Sequence, residues 1–97
     1  MKFKFFYVKH KITGEFVHVQ YFEIDDATSI ISLGLSKYES DQPYLTDKLQ
    51  QERLLNGDLN NSWEVFIYDD LKKAIKENNL EIIEIELWVH YGGVLFG

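Results

Sequence analysis

Lys2-Phe3-Lys4-Phe5-Phe6-Tyr7-Val8-Lys9-His10 and Phe16-Val17-His18-Val19-Gln20-Tyr21-Phe22-Glu23-Ile24 flank the short stretch Lys11-Ile12-Thr13-Gly14-Glu15. How these two runs pair decides which side of the fold is core. Aromatic and β-branched residues dominate both, as half-buried strands prefer. Gly14 suits the left-handed position of a type I turn followed by a G1 bulge. That turn sets Lys11 opposite Glu15, Tyr7 opposite Val19, Phe5 opposite Tyr21 and Phe3 opposite Glu23. One face then carries Phe3, Phe5, Tyr7, Val17, Val19 and Tyr21, and it is the face expected under helices. A one-residue slip would mix His18 and Gln20 into it, because side chains alternate with period two.

Downstream, Ala27, Ile30, Ile31 and Tyr38 recur at helical spacing and predict a helix from Asp25 or Asp26 to about Ser36. The polar stretch from Tyr38 to Pro43 reads as the main surface loop. A second helix is expected from Thr46, as N-cap with Asp47 in the first turn, to a stop at Asn56-Gly57. Residues 62–68 read as a strand with Trp63, Val65 and Ile67 on one face. A third helix over 70–78 is expected to be capped by Asp69 or Asp70 and to end at Asn78-Asn79, with Leu71, Ala74 and Ile75 as its apolar stripe. From Leu80 to about Tyr91, Ile83, Ile85, Leu87 and Val89 alternate with Glu84, Glu86, Trp88 and His90, a strong half-buried strand pattern. The tail 92–97 is expected to turn and add a short edge strand. The order ββααβαβ points to one α+β domain over residues 1–97, a four-stranded mixed or antiparallel sheet with helices mainly on one face. Pairing the first strand with the last would bring Lys2 and Lys4 to Glu84 and Glu86.

The chain has 97 residues, 45% of them hydrophobic and 15% aromatic, enough for one core and not for two. It contains no cysteine, which excludes disulfides, thiol nucleophiles and zinc sites built on sulfur. No apolar run is long enough for a signal segment or a membrane span, so a cytoplasmic setting without membrane contact is expected. Net charge is −6, and it is uneven: the first fourteen residues hold Lys2, Lys4, Lys9 and Lys11 without an acid, while all sixteen acids follow them. An acidic body disfavours direct nucleic-acid binding and favours basic partners.

Two constellations could carry chemistry. Asp25-Asp26 and Asp69-Asp70 both follow an apolar run, and with their strands parallel the four carboxylates would gather at one sheet end, a setting for Mg²⁺ and phosphoryl transfer. The plainer reading is that each pair caps a helix. His10, His18 and His90 could share a face, but no metal-ligand spacing links them. Serines lack a nucleophile-elbow context, no glycine-rich phosphate loop is present, and no cofactor is expected. What stands out is the second sheet face, where Phe6, His18, Phe22, Phe66, Tyr68, Glu84, Glu86, Trp88 and His90 mix charge with large aromatics. These residues are the candidate partner surface. The expected function is a non-catalytic interaction module, of the size and charge of small acidic inhibitors or antidotes from phage or bacteria, binding a protein partner or a second copy of itself. The alternatives are a metal-dependent nuclease-like enzyme at the Asp-Asp junctions and a self-associating accessory subunit.

Overall fold

The computed structural model describes residues 2–26, 29–59, 65–90 and 93–96, with the side chains of 88–90 and 93–96 outside that description. The elements are β1 (Lys2–His10), β2 (Phe16–Glu23), β3 (Ser29–Ser36), α1 (Lys48–Leu55), β4 (Val65–Ile67), α2 (Asp69–Lys76), β5 (Leu80–His90) and β6 (Gly93–Phe96). They form a mixed sheet in the order β4-β3-β2-β1-β5-β6. Only the β3–β4 pairing is parallel among the described strands. The fold is α+β as expected, but among the described residues the sheet has six strands rather than four and the helices are two rather than three. No helix among the described residues is long and apolar enough to cross a membrane.

The missing helix is β3. Residues 29–36 pair with β2 along their whole length, from Phe16↔Ser36 to Glu23↔Ser29, and with β4 from Ile31↔Val65 to Leu33↔Ile67. Ser32, Leu33, Gly34 and Ser36 are all buried, so both faces of this strand are covered. Isoleucines, serines and a glycine are weak helix formers, and here the available strand partners outweigh the helical spacing. The small residues let neighbours lie close.

The helix ends follow backbone demand. Thr46, the expected cap of α1, lies two residues before Lys48, where the helix starts, and exchanges backbone hydrogen bonds with Phe6, N–H to O at 3.1 Å and O from N–H at 2.9 Å. Asp47 is the N-cap instead, accepting the Gln50 N–H at 2.8 Å. α1 closes in a Schellman motif, with Gly57 at φ 79° and bonds from Gly57 N–H to Leu54 O and from Asp58 N–H to Arg53 O. α2 was expected to be capped by Asp69 or Asp70, but its N-cap is Tyr68, without a side-chain bond. Tyr68 donates to Leu33 O and accepts from Lys72 N–H, so the strand passes straight into the helix. Both aspartates are thereby drawn into the first turn, where they meet the positive end of the helix dipole. Asn78, at φ 57°, ends α2 as expected.

The opening hairpin differs by one residue from the expected register. His10, not Lys11, faces Glu15: its N–H donates to Glu15 O at 2.7 Å, and Lys9 pairs with Phe16. The cause lies in the turn. The His10 imidazole Nδ1 accepts the N–H groups of Ile12 and Thr13 at 3.1 and 3.2 Å, and Gly14, at φ 77°, donates to His10 O. A loop of four residues replaces the expected three. The slip turns β1 over relative to β2. Val8, with Leu80 and Ile82 of β5, faces the helices alongside Val17, Val19, Leu33, Ile67, Leu54, Leu71 and Ala74. Phe3, Phe5 and Tyr7 therefore lie on the far side with Ile83, Ile85 and Leu87. Tyr21 shares the helix side with Val19, yet stays 64% exposed near the end of β2.

Beyond Lys9 and Phe16, β1 and β2 part, and the loop after β3 fills the notch. Tyr44 N–H donates to Val17 O, Val19 N–H donates to Gln42 O, and Thr46 bonds Phe6. Gln51, fully buried on α1, donates its side-chain amide to Phe6 O at 2.8 Å and to Tyr44 O at 3.0 Å. On its other side β1 pairs with β5 from Lys2↔Trp88 to His10↔Leu80. The expected charge pairs form diagonally across that ladder, Lys2–Glu86 at 2.9 Å and Lys4–Glu84 at 3.6 Å. Both are exposed and contribute little to stability. The tail supplies β6 as expected, pairing Leu87 with Phe96 and His90 with Gly93.

Gln51→Ala removes two buried hydrogen bonds at once, and a loss of about 2 kcal/mol in urea unfolding is expected. Asp47→Ala, which removes only a cap on the same helix, should cost about 1 kcal/mol. Equal losses for the two would show that the wedge does not depend on Gln51. The Tyr44 phenol gives a second check. Burial, then the neighbouring Tyr21 and Asp47, pushes it above its ordinary value of 10.0. Stability from keeping it protonated is fully present below that ordinary value and is lost as pH rises through the raised folded-state value. Thermal melts at rising alkaline pH should therefore fall less steeply for Tyr44→Phe than for the parent; identical slopes would assign the fall to other groups.

Candidate functional site

Both described helices pack on one side of the sheet, and their core residues Leu54, Leu71 and Ala74 join one cluster. Strand alternation then places His18, Gln20 and Phe22 of β2, Ile30, Ser32 and Gly34 of β3, and Phe66 of β4 on the opposite side. Phe22 is 49% exposed, Phe66 55% and Tyr68 40%, large values for aromatics on a sheet that has a core elsewhere. The Phe66 and Tyr68 rings meet edge to face, with centroids 5.1 Å apart and planes at 82°.

Gly34 makes this arrangement possible. A Cβ at that position would lie 3.0 Å from Tyr68 Cδ2 and 3.4 Å from His18 Nε2. The tyrosine ring therefore sits directly on bare backbone, with the imidazole beside it. Asp69 and Asp70 border the same depression through the start of α2. Ser32, nearby on β3, is buried, and its hydroxyl has no hydrogen-bond partner among the described residues.

Of the residues expected to form a partner surface, His18, Phe22, Phe66 and Tyr68 are brought together. Phe6, Glu84 and Glu86 are not: the hairpin slip moves them to the helix side, where Phe6 bonds the loop and the glutamates pair with Lys4 and Lys2. Trp88 and His90 occupy β5 positions paired with Lys2 and Gly93, and their side chains lie outside the described residues. The same slip puts Phe3, Phe5 and Tyr7 on the helix-free face, which extends it across β1 and β5. β1 carries large apolar residues on both faces, and that two-sidedness was the signal in the sequence for a second apolar surface.

The aspartate pairs are not brought together. β3 lies between β2 and β4, antiparallel to one and parallel to the other, so Asp25-Asp26 and Asp69-Asp70 stand at opposite ends of the sheet. The same topology leaves the first pair before a strand rather than a helix. His10 serves its turn, and His18 faces the other side of the sheet. No group of three or more His, Asp or Glu among the described residues is placed to hold a metal ion.

Gly34→Ala tests how the aromatic pair is seated. The added methyl must displace the Tyr68 ring, so the ring-current shifts of Phe66 should change, with stability falling by about 1 kcal/mol as for mild overpacking. Unaltered Phe66 shifts would mean that Tyr68 does not rest on this glycine.

Comparison with models of known protein families, with curated proteins and with solved structures finds no match for this chain, so its functional reading rests on the geometry described above.

Proposed function

We propose that this protein is a non-catalytic interaction module that docks the helix-free face of its sheet on a protein partner. The observation that carries the reading is the one-sided placement of the helices, which leaves Phe22, Phe66 and Tyr68 exposed together on the other side. Aromatic side chains at the centre of an interface dominate binding energy once a partner excludes water from them. Left bare, the same patch favours aggregation. The net charge of −6 supports a basic partner, in the manner of small acidic inhibitors and antidotes, and the absence of cysteine suits a cytoplasmic setting.

The test is the double variant Phe22→Ser/Phe66→Ser. Both side chains are about half exposed, and Phe66 gives up its contact with Tyr68, so melting should fall modestly while the variant stays folded. Association, read by sedimentation of the protein alone and with its crosslinked partner, should weaken at least about tenfold. Undiminished association in the folded variant would remove the face from the proposal. Loss of a dimer formed by the protein alone would identify the partner as a second copy.

A further inference from the structure

Where β1 and β2 part, the helix-free face sinks into a cup of about 280 Å³. Tyr7, Phe16, Ile85 and Leu45 line it, and so do the loop acids Glu39 and Asp41. The Asp41 carboxylate is held in place: Ser36 Oγ donates to its Oδ2 at 2.5 Å while accepting the Tyr38 N–H at 3.0 Å. Ser36 is itself buried, so this support does not drift with solvent. The cup owes its existence to the register slip, which brings Tyr7 to the same side as Phe16, and to the loop wedged into the notch.

We infer that this cup receives the arginine side chain of a basic protein partner. The inference rests on the reading that the helix-free face docks on protein, and it names the chemistry of the anchor. An apolar group would match the aromatic and aliphatic walls but leave the loop acids Glu39 and Asp41 beside it without a counter-charge. An anion would meet those carboxylates and a chain of net charge −6. A cation with an apolar stem satisfies both parts of the lining: methylenes lie against Ile85 and Leu45, and the charged head meets the acids. Arginine fits better than lysine, because a planar guanidinium stacks on rings such as Tyr7 and Phe16 while still donating to carboxylates. The chain's own Lys9 does not line the cup; its Cε lies 3.9 Å from the position a Cβ on Gly14 would take.

The probe is a capped tripeptide, Gly-Arg-Gly, titrated into ¹⁵N-labelled protein, with Gly-citrulline-Gly as its neutral isostere. The arginine peptide should shift the amides of Tyr7, Phe16, Leu45 and Ile85. Citrulline should bind at least about fivefold more weakly, since a charge-assisted hydrogen bond is lost. The variant Glu39→Gln/Asp41→Asn, in which the amide at 41 can still meet Ser36, should weaken the arginine peptide by a similar factor. Equal binding of the two peptides, absence of shifts at the cup, or binding indifferent to both acids would each overturn the inference. The variant Phe22→Ser/Phe66→Ser separates the two proposals, because it leaves the cup intact. An unresponsive cup with association lost in that variant overturns the arginine socket alone. A responsive cup with association unaffected overturns docking by the aromatic patch and leaves the cation site supported.

Discussion

The side-chain amide of Gln51 bonds two carbonyls that belong to different parts of the chain, Phe6 on β1 and Tyr44 in the loop after β3. That join ties together the two halves of the sheet, alongside the backbone bonds of the same loop. β2, β3 and β4 form one half, and β1, β5 and β6 the other. They share the pair Lys9↔Phe16 and then separate. Backbone groups exposed by that separation would be costly to bury without partners. The loop satisfies several of them, and the glutamine holds the loop. Both neighbours of its Nε2 are acceptors, so the orientation of this buried amide is set by its surroundings.

The helix-free face has two recesses, and only one of them belongs to that join. At the notch, the parting strands and the wedged loop produce a cup with mainly apolar walls and two loop acids among its lining residues. Farther along, where β2, β3 and β4 stay paired, the surface is flatter, and relief comes from the missing side chain of Gly34. One half offers depth with charge, the other an aromatic platform. A partner that used both would need a cationic projection and an apolar patch beside it.

Much of this was legible from residue patterns, and what was not has a local cause. The strand over 80–90 announced itself through strict alternation, and the lysines of β1 pointed to the glutamates of β5. Asn56-Gly57 and Asn78 marked helix ends correctly, since left-handed residues there are demanded by the backbone alone. The hairpin was misjudged by one residue because the His10 ring competes as a hydrogen-bond acceptor inside the turn, a contact that turn statistics do not anticipate. Residues 29–36 misled for the opposite reason: their spacing is helical, but their preference is overridden by strands on both sides. Asp69 and Asp70 looked like caps because nothing in the sequence shows that Tyr68 is already committed to Leu33. Four of the nine candidate surface residues, His18, Phe22, Phe66 and Tyr68, still share one side of the sheet, because β2 and β4 kept their expected faces.

The pairing of β1 with β5 has the greatest sequence separation of the described strand pairings, and that bears on folding. From Lys2↔Trp88 to His10↔Leu80, every partner of β1 on that side lies seventy or more residues downstream. Closing so long a loop costs entropy before any contact repays it, and ladders of this kind form slowly. The other half of the sheet can assemble from residues 16–67 without waiting. During synthesis, then, β1 leaves the ribosome well before β5 and stays without its main partner until β5 has followed. Lysines at positions 2 and 4 interrupt the apolar residues of β1, and charge so placed disfavours pairing with a stray edge, a role distinct from the ion pairs of the folded state.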